Sequence, residues 1–333
     1  MPRLLYAGRF NIAALMDEIA AGRAPSNHLH GVPLLAAHGW QVRTLSLSAK
    51  ELRNGPAFQA RLWRERDSYD VVLTHSYYDL RWLALAKAAG LFRPHTAAFV
   101  HSLRPRSWDR LLMHGYSRLF VLSHAAAAAA TAAGARVSQQ VYFTYGADQA
   151  FYRELPWPAS PGIVLSVGVS GRDFATLIRA ARSIAAEVHI VGRVSAADVQ
   201  GAPSNVHFHS SGNYDLPFAE MTALFARASC VVVTHHGSGH PYGLNAVVEA
   251  MAQGRPVVLT DGAGIDIDPA QLGFGVRVPV GHDVALATAV NRVMSDPAGA
   301  RAMGRMARQR VDSVYNSAAM AACLDQGLRA LGD

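Results

Sequence analysis

Cysteine is scarce in this sequence, and its scarcity excludes one class of protein. The chain of 333 residues has two cysteines, Cys230 and Cys323, and both lie within apolar patterns. A small secreted domain held by a disulfide framework needs more cysteines at closer spacing. We expect both thiols to be reduced core residues, which predicts a reducing compartment, the cytoplasm.

Long hydrophobic runs and dense charge are also missing. No apolar run reaches the length of a transmembrane helix, and the N-terminal MPRLLYAGRF has no signal-peptide core. Only 17% of the residues are charged and 50% are hydrophobic, which excludes a disordered chain and is typical of a well-packed α/β protein. The length suffices for two domains of ordinary size.

Positive charge is unevenly distributed along the chain. Residues 1–158 have 18 Lys and Arg against 10 Asp and Glu, whereas residues 159–333 have 13 against 14. The basic half predicts an anionic partner, such as a membrane surface, or serves solubility alone. Residues 48–67 form a basic amphipathic segment that fits a membrane surface and equally fits an ordinary solvated helix. Nucleic acid is not an expected partner, because the sequence shows no nucleic-acid-binding motif.

Alternating apolar runs and helical segments predict parallel, doubly wound sheets. The clearest unit begins with a strand at Cys230–Val233, followed by a Gly-rich loop and a helix at Leu244–Gln253. Gly254 ends this helix, and Pro256–Leu259 is the next strand. The N-terminus of such a helix favours an anion, because its backbone N–H groups and the helix dipole point there. Glu249 lies inside the helix and needs hydrogen-bond partners, which sugar hydroxyls would provide.

The residues from Ala246 to Gly264, AVVEAMAQGRPVVLTDGAG, resemble the signature of retaining, nucleotide-sugar-dependent glycosyltransferases of glycosyltransferase family 4. The resemblance is specific across about Ile163 to Val314, and in the first half it rests on element order and a few strand-end residues. It implies the α/β GT-B fold, in which two Rossmann-like parallel-sheet domains face each other across a cleft. The implied parts are an acceptor-binding domain at 1–156, a nucleotide-sugar-binding domain at 157–316, and a C-terminal helix at 317–333 that packs back on the first domain.

The resemblance also implies which residues bind the donor. In the family a helix N-terminus holds the donor diphosphate and a glutamate binds the ribose hydroxyls, a role that falls here to Glu249. Arg172 aligns with the family's lysine on the donor phosphates, where a guanidinium suits bidentate contact; otherwise it is a surface residue paired with Asp173. The family's second glutamate, at the donor sugar, is replaced by Pro241 with His240 beside it. If one residue is inserted, Tyr242-Gly243-Leu244 matches the family's Phe-Gly-Leu and His240 takes the place of the glutamate. The implied donor-binding residues are Gly168, Arg172, His240, Tyr242, Gly243, Leu244, Asn245 and Glu249.

Several of the fifteen histidines stand at predicted strand ends, where open α/β sheets bind ligands. His101 ends a strand as the family's active-site histidine does, so the resemblance implies that it contacts the transferred sugar. His101 and Arg172 are therefore the implied catalytic residues. The candidate acceptor-side residues are His75, at another strand end, and His28 and His30, which lie where the family has its first Gly-rich loop. Here that segment, Asn27–His38, is expected to be helical.

No metal site is expected. Asp266-Ile267-Asp268 follows a glycine turn after a strand, which is typical of a solvated turn. No histidine pair has a carboxylate partner readable from the sequence, so a histidine metal cluster is not expected either. Gly237-x-Gly239 lacks the third glycine and the downstream acid of a dinucleotide fingerprint, which argues against a dehydrogenase. His235 or His236, just before this loop, is a further candidate for donor contact.

The resemblance implies a retaining glycosyltransferase of the hexosyl class that moves a sugar from a nucleotide-sugar donor to an acceptor hydroxyl. The helix dipole and Arg172 take the place of a metal at the diphosphate. No carboxylate stands out as a covalent nucleophile, so front-face displacement without metal or cofactor is expected. The acceptor is open: a small molecule, an oligosaccharide or a lipid-linked sugar, with peripheral contact to the inner face of the membrane as one option. The alternatives are a GT-B sugar phosphorylase, an epimerase and a catalytically silent nucleotide-binding module.

Overall fold

The chain forms two compact units, Met1–Tyr145 with Ser317–Asp333 as the first, and Gly146–Asn316 as the second. The structure, a computed structural model, describes residues 1–8, 10–45, 55–104, 109–158, 162–210, 216–262 and 264–332. Part of the basic segment expected at 48–67, namely residues 48–54, lies outside the described residues.

The second unit begins earlier than the boundary expected after residue 156. The Ala147 N–H donates to the Tyr315 carbonyl oxygen at 2.9 Å, and Arg308 Nη1 donates to the Tyr152 carbonyl oxygen at 2.9 Å. A Cβ on Gly146 would lie 2.2 Å from the backbone nitrogen of Asn316, so this close approach needs glycine. These contacts attach residues 146–156 to the second unit.

A parallel sheet forms the centre of the first unit. Its strands are β1 (Arg3–Ala7), β2 (Gln41–Leu45), β3 (Val71–Thr74), β4 (His95–Val100), β5 (Arg118–Val121) and β6 (Gln140–Tyr142), and their order is β2-β1-β3-β4-β5-β6. All residues of β3 are buried, as expected for an apolar strand covered on both faces. Because β3 and β4 are parallel neighbours, His75 and His101, which follow them, come to the same edge of the sheet.

Short helices connect these strands. They are α1 (Ile12–Ala20), α2 (Gly55–Arg64), α3 (Arg81–Ala88), α4 (Asp109–His114) and α5 (His124–Ala132). The single helix expected over Asn27–His38 is wrong, because the segment forms two 3-10 helices, Ser26–Leu29 and Val32–His38. Between them His30 and Gly31 have left-handed φ values of 55° and 79°, which end the first helix and turn the chain.

A second parallel sheet forms the centre of the second unit. Its strands are β7 (Ile163–Gly168), β8 (Val188–Gly192), β9 (Val206–Ser210), β10 (Ala228–Val233), β11 (Val257–Thr260) and β12 (Gly275–Val278), in the order β12-β11-β10-β7-β8-β9. Cys230 lies in β10 and is fully buried, and burial raises the pKa of its thiol to about 12. Both cysteines are free, as expected, although Cys323 is only partly buried.

Helices cover the second sheet. They are α6 (Phe174–Ala181), α7 (Ala196–Gln200), α8 (Phe218–Arg227), α9 (Leu244–Ala252), α10 (Asp283–Ser295) and α11 (Pro297–Ser313). Helix α9 joins β10 to β11, and eight of its nine residues are buried. Just beyond it, the buried Arg255 donates from Nε to the Phe225 carbonyl oxygen at 2.9 Å and from Nη2 to that of Pro156 at 2.7 Å. This arginine therefore anchors the end of the helix, and its charge is taken up by carbonyl groups.

The last helix of the chain, α12 (Ser317–Arg329), packs within the first unit. Trp40 Nε1 donates to Asp325 Oδ1 at 2.7 Å, and Arg329 Nη2 donates to the His38 carbonyl oxygen at 2.6 Å. A Cβ on Gly31 would lie 2.8 Å from the backbone nitrogen of Ala321, so the turn at residues 30–31 sits directly against this helix. Among the described helices, none combines the length and the hydropathy needed to cross a membrane.

Candidate functional site

The Gly-rich loop before α9 brings the N-terminus of this helix to the carboxyl edge of the second sheet. Gly243 is the N-cap of α9 and has a left-handed φ of 100°. A Cβ on Gly243 would lie 2.3 Å from Arg172 Nη1 and 2.5 Å from Val233 Cγ1. Glycine is needed here both for the backbone conformation and for the close approach. The positive end of the α9 dipole therefore lies beside the Arg172 guanidinium.

Arg172 is held in place by two glycines. A Cβ on Gly168, which ends β7 with φ 144°, would lie 2.0 Å from Arg172 Nε. Arg172 Nη2 donates a hydrogen bond to the Val167 carbonyl oxygen. Gly168 and Gly243 thus enclose a guanidinium at a helix N-terminus, an arrangement that attracts and orients an anion such as a diphosphate.

The neighbouring Asp173 has a different task. Its Oδ1 accepts from the Thr176 N–H at 3.0 Å and its Oδ2 from Thr176 Oγ1 at 2.6 Å, so the carboxylate caps α6. The Asp173 carboxylate is therefore held by this cap, and a surface Arg172–Asp173 pair is not needed to position either residue. The cap holds the start of α6 and with it the loop that carries Arg172.

Tyr242 and His240 form an aromatic pair next to Arg172. A Cβ on Gly171, whose φ is 63°, would lie 2.1 Å from Tyr242 Cδ2, so the phenol ring rests on this glycine. The His240 ring stacks on that of Tyr242 with centroids 4.7 Å apart and an interplanar angle of 16°. His240 therefore stands beside the helix N-terminus, near the position of the missing glutamate at Pro241.

Glu249 is the single acidic residue of α9 and is only 6% exposed. It lies six residues after Gly243, about 9 Å along the helix axis. A carboxylate that is this deeply buried needs hydrogen-bond donors around it. The spacing suits a ligand with an anionic group at the N-terminus and hydroxyl groups further along the helix.

Of the two histidines before the loop, His235 is buried whereas His236 is exposed. His235 Nδ1 accepts from the Gly237 N–H at 3.1 Å, which places the ring proton on Nε2 in the neutral form. Burial lowers the pKa of His235, and the charge of Arg172 lowers it further. A Cβ on Gly262 would lie 2.3 Å from His235 Cε1. His235 is therefore a neutral ring close to Arg172. The sequence alone did not distinguish His235 from His236 as the candidate for donor contact.

In the first unit, the structure brings together three of the four sequence-predicted histidines. The ring centroids of His30 and His75 are 4.8 Å apart, those of His75 and His101 are 4.8 Å apart, and those of His30 and His101 are 5.3 Å apart. His28 is partly buried, and it is close enough to lower the pKa of His30 and His75. The sequence did not reveal this cluster, because His30 reaches it through the left-handed turn at residues 30–31.

Burial keeps the imidazoles of His30 and His75 neutral. It lowers the pKa of His75 to about 4, with a smaller effect of His28, and it lowers the pKa of His30 well below its ordinary value. The His30 ring stacks on Phe99 with centroids 4.1 Å apart. Neutral imidazoles offer lone pairs as well as N–H groups, so the cluster can accept hydrogen bonds from hydroxyl groups or bind a metal ion.

The Asp-x-Asp sequence at 266–268 directly precedes a turn at 269–273. Asp268 Oδ1 accepts from the N–H groups of Ala270 and Gln271 at 2.8 and 3.1 Å, and Asp268 Oδ2 lies 3.8 Å from Arg277 Nε. Asp266 is exposed. The second carboxylate is therefore engaged in the turn itself.

Part of the chain is similar to known proteins. Residues 165–296 match the model of the family described as Glycosyl transferases group 1. The glycogen synthase of Mycobacterium tuberculosis is 36% identical over 101 residues, which are 30% of this chain and 24% of that protein. The chain thus spans about a quarter of the length of the curated relatives it matches. The segment that matches the family model, residues 165–296, contains Gly168, Arg172, the Gly-rich loop and Glu249.

Similar solved structures extend over the whole chain. The sucrose-phosphate synthase from Thermosynechococcus elongatus is 18% identical with a TM-score of 0.76, covering 100% of this chain and 99% of that one. Anabaena HepE in complex with UDP and glucose is 16% identical with a TM-score of 0.71, covering 99% and 100%. At such identities the likeness shows the fold. The predicted GT-B fold is confirmed, and the family match over residues 165–296 agrees with the predicted resemblance to glycosyltransferases.

Proposed function

We propose that this chain, which has the GT-B fold and matches the group 1 glycosyltransferases over residues 165–296, transfers a glycosyl group from a nucleotide sugar to an acceptor hydroxyl. The observation that carries the proposal is the Arg172 guanidinium, enclosed by Gly168 and Gly243 at the N-terminus of α9. Arg172 and the helix dipole bind the diphosphate, and the buried Glu249 accepts hydrogen bonds from the ribose hydroxyls. His240, Tyr242, Leu244 and Asn245 complete the donor site.

The donor we propose to test first is UDP-glucose, since Anabaena HepE was solved with UDP and with UDP-glucose. The leaving diphosphate gains negative charge as the sugar departs, and Arg172 with the α9 dipole stabilises that charge without a metal. We propose retention by front-face displacement, in which the leaving phosphate removes the proton of the acceptor hydroxyl. His101 is the proposed catalytic histidine, and His28, His30 and His75 are proposed on the acceptor side.

The experiment is a thermal-shift panel of nucleoside diphosphates and their sugars in EDTA, followed by transfer assays with the donor that binds. We expect one nucleotide to raise the melting temperature without metal, because a ligand of the native state stabilises it. His101→Ala should slow transfer and leave nucleoside diphosphate affinity near wild type. Transfer to phosphate would favour a phosphorylase, conversion of the donor sugar without an acceptor would favour an epimerase, and binding without turnover would favour a silent module. No thermal shift with any nucleotide would contradict the proposal.

We further propose that an anionic lipid surface is a partner of the first unit. Helices α2 and α3 enclose an apolar groove of about 340 Å³, lined by Trp63, Trp82 and Leu83 among others. Trp82 is 51% exposed, and the Arg66 guanidinium lies 5.5 Å from the Trp63 ring centroid. Tryptophan beside arginine is typical of the interfacial region of a bilayer.

Vesicle co-sedimentation tests this partner. We expect the chain to sediment with phosphatidylserine-containing vesicles but not with neutral ones, and to be released by salt. Trp82→Ala with Arg64→Glu, a charge reversal at the exposed last residue of α2, should abolish sedimentation. Leu111→Ala, a change at an exposed apolar residue of α4, should not. Equal sedimentation with neutral vesicles would argue against an electrostatic membrane contact.

A further inference from the structure

Three histidines of the first unit converge on one point from three separate segments. His75 follows β3, His101 follows β4, and His30 lies in the left-handed turn between two 3-10 helices. One ligand nitrogen of each ring lies within 4.8 Å of the others. The ring plane of His30 makes angles of 65° with His75 and 75° with His101, and the planes of His75 and His101 differ by 39°, so the three rings are not stacked in one column.

Two of these rings have an unsatisfied nitrogen. In the described part of the chain, Nδ1 of His30 and Nδ1 of His75 are buried without a hydrogen-bond partner. His30 is only 2% exposed. A buried polar atom without a partner is costly, typically about 1–3 kcal/mol, and such atoms call for a bound ion or water. Both orphaned atoms belong to the same cluster, so one ligand could satisfy them together.

The backbone at His30 is also unusual. Among the described residues, His30 is the single non-glycine residue with a left-handed φ, at 55°. Such a conformation costs of order 1 kcal/mol and persists where surrounding contacts impose it. Here the turn packs against α12 through Gly31, and the His30 ring stacks on Phe99. The fold therefore holds the His30 imidazole in the cluster at a conformational cost.

We propose that His30, His75 and His101 form a binding site for a divalent transition-metal ion of the zinc class. Imidazole nitrogen is a preferred ligand of zinc, copper, nickel and cobalt, whereas magnesium and calcium prefer oxygen. Three imidazoles with an open fourth position is a known zinc arrangement. Bonds of about 2.0–2.1 Å place tetrahedral ligand nitrogens roughly 3.4 Å apart, so side-chain rotations that draw the rings together complete the site.

A second histidine cluster in the other unit is a weaker candidate. Glu187, His189 and His207 also offer ligand atoms within 4.8 Å of one another. However, His207 Nε2 already contacts Glu187 Oε2, and His189 Nδ1 lies 2.7 Å from His209 Nε2. These groups pair with one another, and Glu187 and His207 are exposed. The polar groups of this cluster pair with one another without an ion, so the cluster serves as an internal comparison.

The proposed metal site and the proposed transfer reaction can be tested apart. Zinc binding requires no donor, and the diphosphate is assigned to Arg172 and α9 in the other unit. Because the same imidazoles are proposed on the acceptor side, bound zinc should block transfer. That consequence rests on the proposed function, whereas the binding does not.

The experiment is a titration of the tag-free, EDTA-stripped full chain with Zn²⁺ and, in parallel, with Co²⁺ followed by visible absorption. We expect a site that saturates at micromolar zinc, cobalt bands of low-symmetry nitrogen coordination, and no competition by Mg²⁺. Asparagine tolerates the left-handed φ at position 30, so His30→Asn removes the imidazole and keeps the turn. His30→Asn and His75→Ala should each weaken zinc binding by at least roughly tenfold. His114→Ala, a change at an exposed histidine of α4, is the matched control.

The variants also separate the two clusters. His207→Ala should leave the high-affinity cobalt bands unchanged, and zinc should raise the melting temperature of wild type but not of His75→Ala. Circular dichroism of each variant verifies that it is folded. The proposal is overturned if the chain does not bind zinc at micromolar concentration, if both His30→Asn and His75→Ala bind as wild type, or if the bands are lost in His207→Ala alone.

Discussion

At the scale of single residues, the candidate donor site depends on glycines as much as on charged groups. Gly168 and Gly243 leave the space that the Arg172 guanidinium fills, and Gly171 leaves the space under Tyr242. A methyl group at any of these positions would meet a side chain at less than 2.5 Å. The Arg172 guanidinium thus occupies space that is open only because positions 168 and 243 have no side chain.

Gly243→Ala tests this positioning. Alanine at this position would have to adopt a left-handed φ of 100°, and its Cβ would lie 2.3 Å from Arg172 Nη1. We expect a loss of stability of about 1–2 kcal/mol and a clear loss of nucleoside diphosphate affinity, measured by thermal unfolding and calorimetry. Gly239→Ala in the same loop is the control, because its Cβ would meet nothing within 4 Å. Equal affinity in the two variants would show that the packing around Arg172 is irrelevant to binding.

Glu249→Gln tests the proposed ribose contact. The amide keeps the size of the side chain but loses a charged acceptor, so donor affinity should fall by about 1–3 kcal/mol, roughly five- to 150-fold in Kd. Glu220→Gln on α8, where the carboxylate is exposed, should bind as wild type. Calorimetry with the nucleotide that binds wild type gives the answer, and unchanged affinity in Glu249→Gln removes this residue from the site.

Residues near the sequence signature were easier to predict than the histidine cluster. Gly243 and Glu249 lie within one βαβ unit, β10-α9-β11, so spacing along the chain predicts their placement. Arg172 follows β7, and the family resemblance predicts its role. His30, His75 and His101 are far apart in sequence, and their convergence depends on strand order and on one left-handed residue. Neither property is encoded in a local pattern, since non-glycine residues seldom adopt a positive φ.

At the scale of secondary-structure elements, apolar runs predicted the central parallel strands well because strands such as β3, β7 and β11 are buried on both faces. The expected helix at Asn27–His38 failed for a local reason. Gly31 has to lie against the backbone of Ala321 in α12, and this tertiary contact overrides helix propensity. An apolar pattern of helical period cannot reveal a contact with a helix nearly 300 residues away.

Helix α12 provides a test at this scale through Asp325. Partial burial alone would raise the pKa of this carboxyl, but hydrogen bonds from Trp40 and Arg329 hold it below its ordinary value of 3.8. A lowered folded-state pKa means that the stabilisation is present above the unfolded value and is lost as pH falls through the folded value. Asp325→Asn should therefore lower the melting temperature at neutral pH and leave less difference from wild type in strong acid. Parallel curves at all pH values would contradict this assignment.

At the scale of the whole molecule, the charge asymmetry follows the two units. The basic residues concentrate in the first half of the chain, whereas the candidate diphosphate site lies in the second unit, which has little net charge. The second unit therefore relies on one positioned guanidinium and one helix N-terminus for anion binding, not on an extended basic surface. Donor binding should accordingly depend only weakly on salt, and any membrane contact of the first unit should depend on it strongly.

The central claim is that a nucleoside diphosphate binds at the N-terminus of α9 through Arg172. The most direct measurement is calorimetric titration of UDP, and of any other nucleotide from the panel that binds, into wild type and Arg172→Ala in EDTA. Arg179→Ala on α6, an exposed arginine 3.4 Å from Asp283, is the control. We predict metal-independent binding that falls roughly ten- to hundredfold in Arg172→Ala and is unchanged in Arg179→Ala. Binding that requires a metal, or that is equal in wild type and Arg172→Ala, would contradict the account.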